Sequence, residues 1–250
     1  MHEFFEVSRK AGFEAYQVWS YICAGGFNWE QIAPLWQATG MAFKKGFFVT
    51  AYLGKDQSVE LVLLVFALGC CGCVALAGKG VASSVKKIAI SSAALLFIAL
   101  PLSYLVRLHG YSEIGRLWVL FVLAVVWVGD TAGYFVGRAF GKHKLAPMVS
   151  PGKTWEGAAA NVLMSIAVGV AFPRWLPYSM LHLAVCSMIV SIAGQYGDLM
   201  ESAVKRAAGV KDSGSLLPGH GGMWDRIDAL IFAAPVAWVY LKFVIPMFSR

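Results

Sequence analysis

Between residues 198 and 228 the sequence gathers more chemistry than anywhere else in the chain. Asp198, Glu201, Ser202 and Lys205 stand at i, i+3, i+4 and i+7. On a continuous helix they share one face. Downstream come Lys211-Asp212-Ser213-Gly214-Ser215, then Pro218-Gly219-His220-Gly221-Gly222, then Met223-Trp224-Asp225-Arg226-Ile227-Asp228. Asp225 and Asp228 are three apart at the head of an apolar run, so a helix there presents both carboxylates on one side. Carboxylates in oxygen-only surroundings suit Mg²⁺, which takes one or two protein carboxylates together with substrate phosphates. The cations Lys205, Arg206, Lys211 and Arg226 can neutralise a polyphosphate. The glycines around His220 can offer backbone N–H groups to an anion. The chemistry these types point to is metal-assisted handling of phosphate. A plainer account makes Asp225 and Asp228 acids favoured by a helix N-terminus, and Glu201 with Lys205 a solvated ion pair at a helix end. Asp198 fits that account poorly, because it closes an apolar run. His220 has no cysteine or second histidine near it in sequence, so phosphate contact or loop structure suits it better than zinc.

Two further elements carry polar residues where lipid should forbid them. Asp130 lies in Trp127-Val128-Gly129-Asp130-Thr131-Ala132-Gly133-Tyr134, inside an otherwise apolar stretch. A carboxylate at the centre of a membrane helix costs about 2.5–3.5 kcal/mol on insertion scales, so it faces a partner or a water-filled cavity, or else marks a helix end at the headgroups. Gly129 and Gly133 favour close backbone approach. The other element is Ser150-Pro151-Gly152-Lys153-Thr154-Trp155-Glu156-Gly157. Its Gly-Lys-Thr resembles part of a P-loop, but that motif needs a glycine five positions earlier, where this chain has Pro147. A P-loop is rejected, and Lys153 remains a candidate for a phosphate or a lipid headgroup.

The elements that must hold these residues are membrane helices. Of 250 residues 58% are hydrophobic and 14% charged, against roughly 45–50% and roughly 25% in soluble domains. A span needs about 20 mostly apolar residues. The segments 61–78, 88–106, 117–137, 157–173, 178–197 and 229–247 qualify. They are continuous rather than alternating, which predicts helices. The reading is an all-α, polytopic transmembrane protein of about six to seven helices. The loops around 79–87, 138–156 and 198–228 are rich in Lys and Arg, and the two between them are poor. By the positive-inside rule the rich loops, and with them all the unusual polar sequence, lie on the cytoplasmic side. The net charge of +7 sits in short loops between apolar runs. That fits anionic lipid headgroups, and no basic stripe interleaved with aromatics offers a nucleic-acid surface. Cys70, Cys71 and Cys73 lie in an apolar run without His, Asp or Glu, and read as packing or lipid-facing residues. Glu3, Glu6 and Glu14 break any signal-peptide pattern. Residues 1–58 form an N-terminal region that is interfacial or weakly embedded, and 59–250 form the membrane domain.

The run from Ser202 to Asp228, with Lys205-Arg206, Lys211-Asp212, His220-Gly221-Gly222 and Asp225-Arg226-Ile227-Asp228, resembles the signature of the phosphatidate cytidylyltransferases, or CDP-diacylglycerol synthases. Gly129-Asp130-Thr131 and Ser150-Pro151-Gly152-Lys153-Thr154 look like that family's flanking elements. The resemblance implies that CTP and phosphatidate give CDP-diacylglycerol and pyrophosphate, with Mg²⁺ and a second cation such as K⁺. It also implies a homodimer in the bacterial inner membrane. On this reading Asp198, Asp225 and Asp228 hold metal, with Asp130 a further candidate. Lys153, Ser202, Lys205, Arg206, Lys211, His220, Gly221, Gly222 and Arg226 face the substrates. Residues 1–58 depart from the resemblance: they are shorter and less apolar than the start of typical bacterial members, and one or two family helices are expected to be missing.

Three other readings stay open on the sequence. A CTP-dependent polyprenol kinase, or a synthase of another CDP-lipid, would use the same residue types, and a kinase releases CDP rather than pyrophosphate. A cation transporter would account for intramembrane carboxylates but not for the basic glycine-rich loop beside Asp225. A non-catalytic homologue acting as a scaffold would not need the signature intact.

Overall fold

Six apolar segments were expected to be helices, and over the described residues each coincides with one to within a few residues at its ends. The computed structural model describes residues 1–26, 58–76, 80–214 and 221–248. The helices are α1 (His2–Lys10), α2 (Gln17–Gly26), α3 (Ser58–Leu76), α4 (Val81–His109), α5 (Gly115–Phe140), α6 (Trp155–Ala171), α7 (Met180–Ala207) and α8 (Trp224–Phe248). Among the described residues, five helices are long and apolar enough to cross a membrane: α4, α5, α6 with its 3₁₀ extension to Arg174, α7 and α8. None buries more than 44% of its most apolar window inside the protein. The remaining apolar surface, including Leu120, Leu163 and Leu181, is exposed and needs lipid against it. The chain is thus a polytopic helical membrane protein. One element was not expected, a two-stranded antiparallel hairpin of β1 (Lys144–Ala146) and β2 (Ser150–Thr154).

The chain divides into two compact units, Met1–Val106 and Arg107–Arg250. In the first, α1 buries Phe4, Phe5 and Val7 and carries Arg9 and Lys10 in its last turn. Glu14 pairs with Lys87 at 2.8 Å, and the Tyr16 backbone N–H donates to Ser91 Oγ at 2.8 Å. Cys23, Phe66, Cys70 and Leu95 form an apolar cluster. Of residues 1–58, expected to be interfacial or weakly embedded, 1–26 and Ser58 are described, and the rest lies outside the described residues.

The second unit carries the chemistry. Its helices α5, α6, α7 and α8 run alternately up and down. One end is apolar, with Trp118, Phe121, Val122 and Val125 of α5 packed with Leu183, Cys186 and Val190 of α7 and with Ala233, Ala237 and Leu241 of α8. The other end is polar and holds the hairpin and the turn before α8. Lipid removes the hydrophobic drive for helices to associate, which leaves close packing and interhelical hydrogen bonds to hold them together. Both are present. Ser165 Oγ of α6 donates to the Val125 carbonyl of α5 at 3.0 Å. On α7, Gly197 faces α8 so closely that a Cβ there would lie 2.5 Å from the Asp228 carbonyl oxygen.

Candidate active site at the polar end of the helices

The polar ends of α5 to α8 and the hairpin enclose a cavity of about 820 Å³. Asp130 of α5, Lys153 of β2, Asp198 of α7 and Asp225, Arg226 and Asp228 of α8 all line it. Residues from two of the three basic loops that charge patterning had put on one side, 138–156 and 198–228, therefore border one space. Six candidate residues drawn from sequence, spread over nearly a hundred positions, meet there.

Local structure explains how each is held. Helix α7 continues unbroken through Asp198 to Ala207, so Asp198, Glu201, Ser202 and Lys205 do share a face. Ser202 is buried and donates from Oγ to Asp198 Oδ1 at 3.3 Å. Lys153 Nζ meets the other oxygen of Asp198 at 2.5 Å. Lys153 is carried there by β2, and Thr154 ends that strand and starts α6, its Oγ1 accepting from the Gly157 backbone N–H at 3.2 Å. Gly152-Lys153-Thr154 thus forms the end of a hairpin and a helix N-cap, consistent with rejecting a P-loop.

Asp198, Glu201 and Asp228 each offer a carboxylate oxygen, and these atoms all lie within 4.8 Å of one another. Glu201 corrects an expectation. The plainer account made it a solvated pair with Lys205, but Glu201 is 3% exposed. The Lys205 side chain is 12% exposed, its Nζ bridging Glu201 Oε2 at 3.2 Å and Asp225 Oδ1 at 2.7 Å. Among the described residues, the buried Glu201 Oε1 has no hydrogen-bond partner. A buried acceptor left without a donor is costly, and a cation at this cluster would satisfy it. Three converging carboxylates, all oxygen donors, fit Mg²⁺. The signal for Glu201 was present in its i+3 spacing from Asp198.

Asp225 is differently placed. Its Oδ1 accepts from Lys205, and its Oδ2 accepts from the Ser213 backbone N–H at 3.1 Å, Ser213 Oγ at 3.0 Å and the Gly222 backbone N–H at 2.8 Å. The carboxylate ties α7, the segment around Ser213 and the turn into α8 together. Gly222 gives its N–H to this carboxylate, and Gly221 turns the chain in the left-handed region at φ 78°. His220 lies outside the described residues. Arg206 is exposed and points to backbone, donating to the Val149 carbonyl at 3.2 Å and the Val210 carbonyl at 3.4 Å, which pins the hairpin turn to the end of α7. Lys211 is exposed, and neither it nor Arg206 is among the cavity's lining residues.

Sequence reasoning passed over four lining residues with charged or amide side chains. Arg138 and Lys144 add cations to the cavity wall, and Arg138 donates to Tyr134 Oη at 2.9 Å. Asn161 and Gln195 add amides. Arg138 and Lys144 had been counted only as topology charges, and nothing local to Asn161 or Gln195 separates them from ordinary polar residues within an apolar run.

The profile of the "Cytidylyltransferase family" matches residues 1–244. A phosphatidate cytidylyltransferase of Bacillus subtilis (strain 168) is 37% identical over 158 residues, covering 62% of this chain and 57% of the relative. One of Brucella suis biovar 1 (strain 1330) is 45% identical over 151 residues, covering 58% and 53%. An uncharacterized protein of Escherichia coli (strain K12), YnbB, is 45% identical over 130 residues, covering 52% and 44%. The matched part spans about half the length of these curated relatives. The family profile, by contrast, takes in nearly the whole of this sequence, and on that match the chain belongs to the cytidylyltransferase family.

Proposed function

We propose that the chain is a phosphatidate cytidylyltransferase that converts CTP and phosphatidate to CDP-diacylglycerol and pyrophosphate. The observation that carries the reading is the cavity shared by the polar ends of membrane-spanning helices, with converging carboxylates and a wall of cations. Such a site lets a nucleotide from water meet a headgroup whose acyl chains stay in the leaflet. The names of the two cytidylyltransferase relatives point to the same reaction.

A phosphate oxygen of phosphatidate attacks the α-phosphorus of CTP in line. A P–O bond forms there, the bond to the β-phosphate oxygen breaks, and pyrophosphate leaves with the electron pair. The nucleophile is already anionic, so no strong general base is needed. The barrier is the crowding of negative charge, which positioned cations relieve. Lys153, Arg226, Arg138 and Lys144 supply that charge from the cavity wall. Asp198, Glu201 and Asp228 would hold Mg²⁺, with Asp130 opening onto the same space, and a bound Mg²⁺ supplies charge neutralisation and orientation of phosphate oxygens. A second cation such as K⁺ belongs to the same proposal. Asp225, Lys205 and Arg206 hold the surrounding segments in place, while contact of Lys211, His220, Gly221 and Gly222 with the triphosphate rests on the sequence resemblance. The positive-inside pattern supports a cytoplasmic position for this end, and a homodimer in the bacterial inner membrane belongs to the same proposal.

The test uses the full chain in lipid–detergent micelles with phosphatidate, CTP and Mg²⁺, following pyrophosphate and CDP-lipid together. Equal yields that require Mg²⁺ support the reading. Release of CDP instead of pyrophosphate would transfer the site to a kinase acting on a lipid alcohol. A folded protein that turns over neither product would remove the activity altogether.

A further inference from the structure

Asn161 lies outside every motif that the sequence marks, yet it sits at the crossing of α5, α6 and α7. It is 6% exposed. Its Nδ2 donates to Asp130 Oδ1 at 2.9 Å, and its Oδ1 accepts from Ser191 Oγ at 2.6 Å. The three groups form a chain from α7 through α6 to α5, ending on a carboxylate that opens onto the cavity. The ends of this chain determine which way the amide faces. An ionised carboxylate only accepts, so the amide must turn its NH₂ toward Asp130. That leaves the carbonyl for the Ser191 hydroxyl. The seam is shaped to admit this side chain. A Cβ at Gly129 would overlap Ser165 Oγ and lie 2.7 Å from Asn161 Oδ1. Any larger residue at 129 would displace the amide.

We infer that Asn161 is a positioning residue for Asp130, held in orientation by Ser191, and that it presents the second oxygen of Asp130 to a divalent cation in the cavity. The inference rests on the metal-site reading above and adds a role that neither signature nor spacing marks. Partners that orient metal-ligating groups typically contribute about 10–100-fold to metal affinity or activity. Ser165 supplies the control. It lies on the same helix one turn on, is fully buried, and donates to the Val125 carbonyl across the same seam. It makes no contact with Asp130 in this network. A purely structural role for the seam polar groups would make Ser165 as important as Asn161.

The experiment measures Mn²⁺ binding by electron paramagnetic resonance on the full chain in detergent, without CTP or lipid, alongside thermal unfolding. Asn161→Ala should weaken Mn²⁺ binding by about tenfold. Ser191→Ala should weaken it in the same direction by a smaller factor, and Ser165→Ala should leave it unchanged. Equal losses in all three variants would assign Asn161 to helix packing and overturn the inference. Unchanged binding in a folded Asn161→Ala protein would overturn it too, while the metal site itself stood. If the unaltered protein binds no Mn²⁺, the metal-site reading fails and this role of Asn161 falls with it.

Discussion

Replacing Gly197 by alanine should separate two carboxylates without touching either. An added Cβ would lie 2.5 Å from the Asp228 carbonyl oxygen and 3.1 Å from Phe232 Cδ2, whereas ordinary contact begins at 3.4 Å. The first clash is short by about 0.9 Å against helix backbone, which cannot swing aside as a side chain would. Helices α7 and α8 must part by nearly that amount, and Asp198 and Asp228 ride on them, one residue from Gly197 and at the clashing carbonyl itself. Overpacking of this kind typically costs about 1–3 kcal/mol, and a misplacement of about 1 Å near the reacting groups can cost about a hundredfold in rate. We expect Gly197→Ala to insert and fold, to unfold at a lower temperature, and to lose about two orders of magnitude in kcat with both products falling together. Pyrophosphate release and thermal unfolding in the same micelles measure the two effects. Gly197→Ala protein with unaltered kcat and unaltered unfolding temperature would refute the close approach of α7 and α8 as the feature that brings Asp198 to Asp228.

Other perturbations read out other parts of the site. Asp228→Asn removes one of three converging carboxylates and should lower kcat by more than the roughly tenfold that loss of a ligand's hydrogen-bond partner costs at the least, with little change in folding, checked by turnover across a range of Mg²⁺ concentrations. Lys205→Met leaves Glu201 and Asp225 without the ammonium between them and should destabilise the protein by about 3–5 kcal/mol. Denaturant unfolding in mixed micelles measures this, and adding Glu201→Gln should recover part of the loss. Thr154→Ala removes the N-cap of α6 and should cost about 1 kcal/mol, a modest fall in unfolding temperature that leaves the product ratio unchanged.

Much of the architecture was legible along the chain because lipid allows few solutions. A backbone crossing a bilayer must satisfy its own hydrogen bonds, so each apolar run of sufficient length reads as a helix, and over the described residues each of the six coincides with one. Spacing along α7 likewise put Asp198, Glu201, Ser202 and Lys205 on one face once the helix continued to Ala207. The hairpin escaped notice because Lys144–Ala146 and Ser150–Thr154 are short and not alternating, and their pairing is set by the ends of α5 and α6 that they join.

Residue types by themselves established that carboxylates and cations gather at one side of a helical membrane protein, since burying them elsewhere in lipid is too costly. How the carboxylates divide their tasks belongs to the tertiary structure. Asp225 and Asp228 are equivalent by spacing, yet one is taken up by Lys205, Ser213 and Gly222, while the other joins Asp198 and Glu201. Lys153 finds Asp198, and Asn161 finds both Asp130 and Ser191, across helix faces that no local period relates. Those meetings depend on how closely the helices approach at glycines such as Gly129 and Gly197, a distance set by packing between segments far apart in the chain.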